Sequence, residues 1–154
     1  NLETYFLAQR FKDVLEISKS DEVIVQDRTL LEGVRIFVEN NREQGNLSER
    51  DYDTYMQLFN LMMSMVRPID LLIYLRSSVP HLVSRIQKRG REYEQSITLE
   101  YLQGLNDHYE EWIRAYDGRL LIIEGDNLDF ENVPEDFARI TDLVDSELYG
   151  LFER

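Results

Sequence analysis

Three short apolar runs divide this 154-residue chain into stretches of helical length. They are Val23–Gln26, Leu71–Arg76 and Leu120–Glu124, and charged or turn-forming residues bound each one, as is typical of buried strands. Strands that alternate with helices need crossover connections, which make the strands parallel and place helices on both faces of the sheet. The sequence therefore predicts an α/β fold with three layers, α/β/α, around a parallel sheet in a single domain, residues 1–154.

Apolar residues at helical spacing fill the intervals between the apolar runs. We expect a helix that is already under way at the first residues and five later helices, over residues 29–38, 48–66, 79–88, 99–116 and 134–152. The Asn- and Gly-containing residues 39–46 are predicted to form a loop. Ser48 is expected to cap the helix that follows this loop, with Asp51 at the third helical position.

Composition excludes several classes of function. The formal net charge is -13 and the chain contains no cysteine. Such an acidic chain lacks the broad basic face that a nucleic-acid polymer requires. The lack of cysteine excludes disulfides and thiolate metal sites, and it fits a reducing compartment, so we expect a cytoplasmic protein. No apolar run approaches the eighteen or so residues of a membrane span, so no membrane partner is expected.

Polar side chains follow each predicted strand, as Asp27-Arg28-Thr29, Arg76-Ser77-Ser78 and Glu124-Gly125-Asp126. Ligands of open α/β sheets lie beyond the carboxyl ends of the strands, so we expect these groups at one edge of the sheet. An Asp-Arg pair supplies a carboxylate for Mg²⁺ and a forked donor for an alcohol or phosphate oxygen. A strand-end salt bridge or a helix cap is the alternative interpretation of this pair.

A basic cluster follows the second predicted strand and consists of Arg85, Lys88, Arg89 and Arg91. The first three share one helical face, and Gly90 allows the chain to turn so that Arg91 points back to the same place. One interpretation is a solvated face balanced by Glu92 and Glu94. The other is a mobile lid over residues 85–95 that closes positive charge over a polyphosphate, which would supply the missing counter-charge.

A family resemblance rests on three stretches: VIVQDRT with Ile36-Phe37, RIQKRGREYEQSITLEYLQGLNDHYEEW, and LLIIEGDNLDF. Together they resemble the deoxynucleoside kinases, especially bacterial deoxyadenosine and deoxyguanosine kinases, over essentially the whole chain. The resemblance implies a nucleoside-monophosphate-kinase-like fold, that is, a P-loop kinase fold. It also implies ATP-dependent, Mg²⁺-assisted phosphorylation of a deoxynucleoside 5′-hydroxyl in nucleotide salvage.

The resemblance implies catalytic roles for residues of two segments. Asp27 resembles the acidic residue of the Mg²⁺ site, and Arg28 resembles the arginine near the 5′-oxygen and the transferred phosphoryl group. The lid arginines would be Arg85, Arg89 and Arg91. We therefore expect guanidinium groups from the two segments to act on the phosphate chain of one nucleotide.

The resemblance also implies binding residues for the donor ATP and for the acceptor deoxynucleoside. The ATP-binding residues would be Arg85 and Arg89, with Asp129 and Phe130 in the loop beneath the ATP base. For the acceptor, Phe37 resembles the aromatic wall over the nucleobase and Glu94 the residue that reaches the sugar 3′-hydroxyl. Glu3, Arg10 and Arg28 complete the implied acceptor site.

Two positions depart from the family pattern and affect base preference. The family commonly has Gln where Glu3 stands and often has Asp where Gly33 stands. An ionised carboxylate accepts hydrogen bonds from a base but donates none. A purine is the expected base.

The phosphate-binding motif G-x-x-x-x-G-K-[ST] does not occur in the 154 residues. In the family this loop and a catalytic carboxylate precede the helix with which the chain opens. We therefore expect a fold truncated at the amino terminus, without the P-loop strand and helix, and a fragment that is inactive on its own. The alternatives are a thymidylate-kinase-like monophosphate kinase and a non-catalytic nucleotide-binding or dimerisation module.

Two helices, near residues 1–19 and 48–66, are apolar around much of their circumference. Such helices are buried or pair across an interface. With the family resemblance, they predict a homodimer built on a helix bundle.

Overall fold

A computed structural model describes residues 2–150, apart from the side chain of Gln95. The described chain consists of two compact units. The first unit comprises residues 2–68 and 104–114, and the second comprises residues 69–103 and 115–150. The single-domain assignment stays a prediction.

Helices form the first unit, and they are connected by short segments. They are α1 (Leu2–Ile17), α2 (Leu30–Glu32), a π-helix (Gly33–Val38), α3 (Glu39–Glu43), α4 (Glu49–Met63) and the carboxyl-terminal part of α6 (Leu99–Ala115). The N-cap of α4 is Ser48, whose side chain accepts a hydrogen bond from the Asp51 amide at 3.2 Å, as predicted. This bond satisfies one of the amides that a helix start leaves without an intrahelical partner.

The π-helix forms the most deeply buried segment of the first unit. Val34, Ile36 and Val38 are fully buried, whereas Arg35 between them is exposed. Val34 and Val38 belong to one hydrophobic cluster with side chains from α1 and α4, among them Leu7 and Phe59. This packing fixes the segment that carries Phe37.

Two sequence predictions for the first unit are wrong. Residues 39–46 are not all loop, because helix continues through Glu43 and the turn comes at Gly45, where φ is +72°. Asn40 is buried within this added helix. Burial in the unit therefore outweighs the loop-like composition of the segment.

The run Val23–Gln26 is not a strand, and Val23 and Val25 are 76% and 89% exposed. A strand requires a neighbour that pairs with its backbone groups, and no strand of residues 2–150 pairs with this run. The described sheet therefore has two strands rather than the three predicted.

The second unit contains this sheet. Its strands, β1 (Leu72–Arg76) and β2 (Leu120–Glu124), are parallel, with Leu72 opposite Leu120 and Arg76 opposite Glu124. The helices of the unit are α5 (Val79–Arg89), a short 3₁₀-helix (Glu92–Ser96), the first turn of α6, and α7 (Pro134–Tyr149). The α/β class and the parallel sheet are thus confirmed.

Apart from the absent strand Val23–Gln26 and the helix that continues to Glu43, the predicted ends of the elements agree with the structure to within about three residues. The last helix was expected to reach Phe152, which lies outside the described residues; its described part ends at Tyr149. None of the described helices has the length and the apolar character that crossing a membrane requires.

The buried π-helix generates a stability prediction. Ile36→Ala should lower the free energy of unfolding by about 2–5 kcal/mol, because it removes apolar groups from a site without solvent access. Urea denaturation followed by circular dichroism measures this loss. Arg35→Ala, at the exposed neighbouring position, is the control and should change stability by no more than about 0.5 kcal/mol. Equal effects of the two substitutions would contradict the assigned packing.

Candidate functional site

The carboxyl ends of the two strands bring two of the predicted polar groups together. Arg76 Nη1 donates to Glu124 Oε1 at 2.9 Å. Ser77 Oγ and the Ser78 amide both donate to Asp126 Oδ1, at 2.7 and 2.9 Å. These hydrogen bonds lower the pKa of Asp126 to about 2, so its carboxylate is ionised at neutral pH. The edge expected from the sequence is present for these two groups, and the third group, residues 27–29, belongs to the first unit.

A cleft of about 430 Å³ opens beside this edge, between α5 and the loop after β2. The lining includes His81, Arg85, Lys88, Asp126, Asp129 and Phe130. Arg85 Nη2 donates to the carbonyl oxygens of Gly125 and Leu128, at 3.0 and 3.2 Å. The Cζ atom of Arg85 also lies 5.7 Å from the centroid of the Phe130 ring. Three of the predicted ATP-binding residues, Arg85, Asp129 and Phe130, therefore line one cleft.

The predicted lid has a break at the expected residue. Helix α5 ends at Gly90, which has the left-handed backbone with φ of +67° that glycine adopts without strain. After this break the chain forms the 3₁₀-helix that carries Glu94.

Arg89 and Arg91 both face the carboxylate of Glu94. Arg89 forms a bidentate ion pair with Glu94, in which Nε lies 3.1 Å from Oε2 and Nη2 lies 2.5 Å from Oε1. Arg91 Nη1 lies 3.8 Å from Oε1. Only 8% of the surface of Glu94 is exposed, and it borders a second cleft of about 540 Å³. The basic cluster is therefore balanced in part by an internal acid, as one of the two sequence interpretations supposed.

Arg28, in the first unit, occupies an unusual backbone conformation. Its φ is +66°, and it is the only described residue other than glycine with a positive φ. A side chain in this region costs about 1–2 kcal/mol. The next residue, Thr29, accepts hydrogen bonds from the Leu31 and Glu32 amides, while the Glu32 carboxylate accepts one from the Thr29 amide. This capping box starts α2 and holds the turn in which Arg28 lies.

The same turn places Arg28 against Phe37. The Cζ atom of Arg28 lies 5.2 Å from the centroid of the Phe37 ring. A guanidinium over a ring face is attracted by the ring quadrupole. The structure therefore brings together the guanidinium and the aromatic ring for which the family resemblance implies a place in the acceptor site.

Asp27 is exposed beside this turn. Residues 2–150 contain no cluster of three or more His, Asp or Glu side chains that could by itself hold a metal ion. Mg²⁺ usually takes one or two carboxylates and fills its remaining positions with water and phosphate oxygens. A single exposed carboxylate fits that kind of site.

A second polar group in the first unit surrounds Gly33. A Cβ atom at Gly33 would lie 3.4 Å from Tyr55 Oη and 3.6 Å from Arg10 Nη1. The pKa of Glu3 is raised overall by burial. Arg10 and a 3.1 Å hydrogen bond from Asn41 Nδ2 act in the opposite direction and offset only part of this rise. Burial and the neighbouring Glu3 also raise the pKa of Tyr55 to about 12. Glu3, Arg10 and Tyr55 thus form one electrostatically coupled group.

Sequence reasoning missed two residues of these sites. Tyr55 was assigned to an apolar helix, although a buried phenol requires a polar neighbour and this could have singled it out. Asn41 was assigned to the loop over 39–46. Asp126 was expected at this edge of the sheet, but its hydrogen bonds with Ser77 and Ser78 depend on how β1 and β2 pair.

The predicted arginines divide between the two units. Arg28 lies in the first unit, and Arg85, Arg89 and Arg91 lie in the second. Their joint action on one phosphate chain stays a prediction.

Comparison with known proteins identifies the family. The family model for deoxynucleoside kinases matches residues 1–149. The chain belongs to the deoxynucleoside kinase family.

Relatives in this family are identical to the chain at about a third of the aligned positions. The deoxyadenosine/deoxycytidine kinase of Bacillus subtilis is 35% identical over 144 residues, which cover 90% of this chain and 66% of the relative. The deoxyguanosine kinase of Lactobacillus johnsonii is 34% identical over 164 aligned residues, which cover 99% of this chain and 72% of the relative. The chain thus spans about two thirds of the length of these two curated relatives.

A solved structure supports the fold. The deoxyadenosine kinase of M. mycoides with bound dATP superimposes with a TM-score of 0.75 and 35% identity, over 94% of this chain and 72% of that chain. This likeness confirms the predicted P-loop kinase fold of this deoxynucleoside kinase family member.

The strained turn generates a prediction about stability. Arg28→Gly should be more stable than Arg28→Ala by about 1 kcal/mol, because both variants lack the guanidinium but only the alanine keeps a Cβ atom at positive φ. Chemical denaturation of the two variants measures the difference. At an ordinary helical position the order is reversed, so Arg35→Gly and Arg35→Ala serve as the matched control pair. An alanine variant as stable as the glycine variant would contradict the strain.

Proposed function

We propose that the whole protein containing this chain transfers the γ-phosphoryl group of ATP to the 5′-hydroxyl of a deoxynucleoside. The product would be the deoxynucleoside monophosphate, and the role would be nucleotide salvage. Membership of the deoxynucleoside kinase family supports the reaction type. The observation that carries the proposal is the contact of Arg28 with Phe37, because it joins a wall for a nucleobase to a charge for a phosphoryl group.

In this proposal the residues of the first unit position the acceptor. The Phe37 ring stacks on the nucleobase, and the Arg28 guanidinium donates to the 5′-oxygen and the incoming phosphoryl group. Phosphoryl transfer depends mainly on positioning and on neutralising the charge that develops on phosphoryl oxygens. A strained residue held by a capping box loses little further freedom when it binds.

The arginines of the second unit bind the donor in this proposal. Arg85 lines the donor cleft with Asp129 and Phe130. Arg89 and Arg91 neutralise the phosphates, and the Glu94 carboxylate reaches the sugar 3′-hydroxyl of the acceptor. Asp27 would hold Mg²⁺, which when bound screens the phosphate charge and orients the phosphates. The ion pair of Glu94 with Arg89 keeps both groups neutralised until their ligands arrive.

We further propose that the base is a purine. The curated relatives include a deoxyguanosine kinase and a deoxyadenosine/deoxycytidine kinase, and the similar M. mycoides structure is a deoxyadenosine kinase. The Glu3 carboxylate offers an acceptor for an amino or imino group of the base, and Arg10 offers donors. Gly33 leaves the space beside Arg10 and Tyr55 that a larger residue would fill.

A substrate panel tests the reaction directly. The whole protein should convert deoxyadenosine or deoxyguanosine with ATP and Mg²⁺ to the 5′-monophosphate, and it should act more weakly on deoxycytidine and thymidine. Chromatography of the products measures the conversion. The four deoxynucleoside monophosphates serve as competing acceptors. Diphosphate products would favour a thymidylate-kinase-like enzyme, and no product from any acceptor would favour a non-catalytic module.

We also propose a homodimer formed through α1 and α4. Tyr5 and Phe6 on α1, and Leu58 and Leu61 on α4, are between 39% and 59% exposed. Large apolar side chains grouped on helices in this way are common at interfaces between subunits.

A cytoplasmic location is likewise our proposal, and it is supported by the cysteine-free composition and by the bacterial relatives.

The dimer proposal predicts the effect of one charged substitution. Leu61→Glu should convert the dimer to a monomer, because an ionised carboxylate at an apolar interface loses its hydration. Sedimentation velocity measures the mass of the wild type and the variant. Leu143→Glu, at an exposed apolar position of α7, is the control and should leave the mass unchanged. A monomeric wild type, or a dimeric Leu61→Glu variant, would contradict this interface.

A further inference from the structure

The loop after β2 is held from α5 at two separate places. At the start of α5, Ser77 Oγ and the Ser78 amide donate to Asp126 Oδ1, at 2.7 and 2.9 Å. About two turns further along α5, Arg85 Nη2 donates to the carbonyl oxygens of Gly125 and Leu128. The Asp126 side chain and the loop backbone are therefore bound at two places along one helix and its N-cap.

The start of the loop has no room to move closer to β1. The Gly125 amide donates to the Arg76 carbonyl at 2.8 Å, and a Cβ atom at Gly125 would lie 3.1 Å from that oxygen. Because Asp126 follows directly, the fixed backbone of Gly125 also fixes the position from which the Asp126 side chain extends. Backbone and carboxylate together anchor the loop to the β1–α5 turn.

The end of the loop carries the residues that face the cleft. The Leu128 amide donates to the Gly125 carbonyl at 3.3 Å, which closes a turn that contains Asp126. The Asp129 amide donates to Asp136 Oδ2 at 2.8 Å, which fastens the loop to α7. Phe130 follows, with its ring 5.7 Å from the Cζ atom of Arg85. The separation of Arg85 and Phe130 across the cleft thus depends on the hydrogen bonds at Asp126 and on the bond of the Asp129 amide to Asp136.

The anchor at Asp126 has the properties of a charged hydrogen bond. Two donors converge on one carboxylate oxygen, and His81 Nδ1 lies 4.0 Å from the same oxygen. The Ser78 amide is at the amino end of an eleven-residue helix, where a negative charge is favoured. The pKa of Asp126, lowered to about 2 by its hydrogen bonds, agrees with a carboxylate that stays ionised at neutral pH. Hydrogen bonds to an ionised acceptor are stronger than those between neutral groups.

We propose that Asp126 is a positioning residue for the donor nucleotide, which sets the separation of Arg85 and Phe130 by anchoring residues 125–130 to the start of α5. It acts through the loop and does not itself contact the phosphates. The inference deepens the proposed function, since it assumes that this cleft receives the base of the phosphoryl donor. Its consequence is selective: losing the anchor weakens donor binding and leaves acceptor binding and the transfer step intact.

The test compares two substitutions of Asp126 in the whole protein. Asp126→Ala removes the acceptor of both hydrogen bonds, whereas Asp126→Asn keeps a side-chain oxygen at the same place without the charge. Isothermal titration with ATP, without an acceptor, measures the Kd. Steady-state kinetics separates the KM for ATP from the KM for the deoxynucleoside and from kcat.

We expect Asp126→Ala to raise the Kd and the KM for ATP about fivefold or more, which is the size of effect that losing such hydrogen bonds has on binding. Asp126→Asn should recover much of this loss. The KM for the deoxynucleoside and kcat should stay within about twofold of the wild-type values. The residues proposed to bind the acceptor and to act on the transferred phosphoryl group do not contact the Asp126 anchor. Asp145→Ala, at an exposed position of α7 in the same unit, is the control and should change none of these quantities.

Ser77→Ala provides a second variant that tests the same contact from its other side. In the double variant Ser77→Ala with Asp126→Ala, ATP binding should be no weaker than in Asp126→Ala alone, because the two side chains act through one hydrogen bond. Additive losses would show that Asp126 acts elsewhere. The proposal is also overturned if Asp126→Ala binds ATP like the wild type, or if the KM for ATP, the KM for the deoxynucleoside and kcat all worsen in proportion to a fall in Tm.

The titration separates this proposal from the proposed function. If the wild type binds ATP but phosphorylates no deoxynucleoside, the proposed function fails, and a selective loss of ATP binding in Asp126→Ala still supports the anchor. If the wild type phosphorylates deoxynucleosides and Asp126→Ala binds ATP normally, the anchor fails alone. A wild type that binds no ATP overturns both.

Discussion

The left-handed backbone at Arg28 is the constraint on which the proposed acceptor site depends. The Thr29–Glu32 capping box directly follows Arg28 and holds this turn, and the buried π-helix follows the capping box. The buried valines and Ile36 fix the π-helix, and the π-helix fixes Phe37. The buried core thereby holds the turn at Arg28, whose strained backbone places the guanidinium against the Phe37 ring, and backbone strain of this kind is common at functional sites.

Several cations of this acidic chain are matched by acceptors of the same unit. In the second unit, Arg89 is paired with the buried Glu94, and Arg85 is bound by two backbone carbonyls. In the first unit, Arg42 Nη2 lies 2.8 Å from Glu49 Oε2. Local matching of this kind allows a basic cluster to persist without a ligand. It also means that a phosphate must compete with Glu94 for Arg89, so ligand binding exchanges one ion pair for another rather than filling an unpaired site.

Local signals were sufficient to predict much of this structure, and their limits have physical causes. Periodicity and caps predicted the helices and the strands β1 and β2, because Ser48, Gly90 and Pro134 act within a few residues of their own positions. The run Val23–Gln26 has the same composition as a strand but lacks a paired neighbour among the described residues, and pairing is a non-local property. The burial of Asn40 and the position of Tyr55 beside Gly33 also depend on tertiary packing. The strand-end pattern placed Ser77 and Asp126 at one edge, but their hydrogen bond joins residues 49 positions apart and depends on the register of β1 and β2.

The central claim is that a guanidinium held at position 28 supplies charge to the transferred phosphoryl group. Chemical rescue of the Arg28→Ala variant tests it most directly, with kcat measured in the whole protein as free guanidinium is added at constant ionic strength. The account predicts that kcat, greatly reduced in this variant, rises in proportion to guanidinium concentration and does not rise with equal concentrations of tetramethylammonium. A variant that keeps the wild-type kcat without any rescue agent, or that responds equally to both cations, would contradict the role assigned to Arg28.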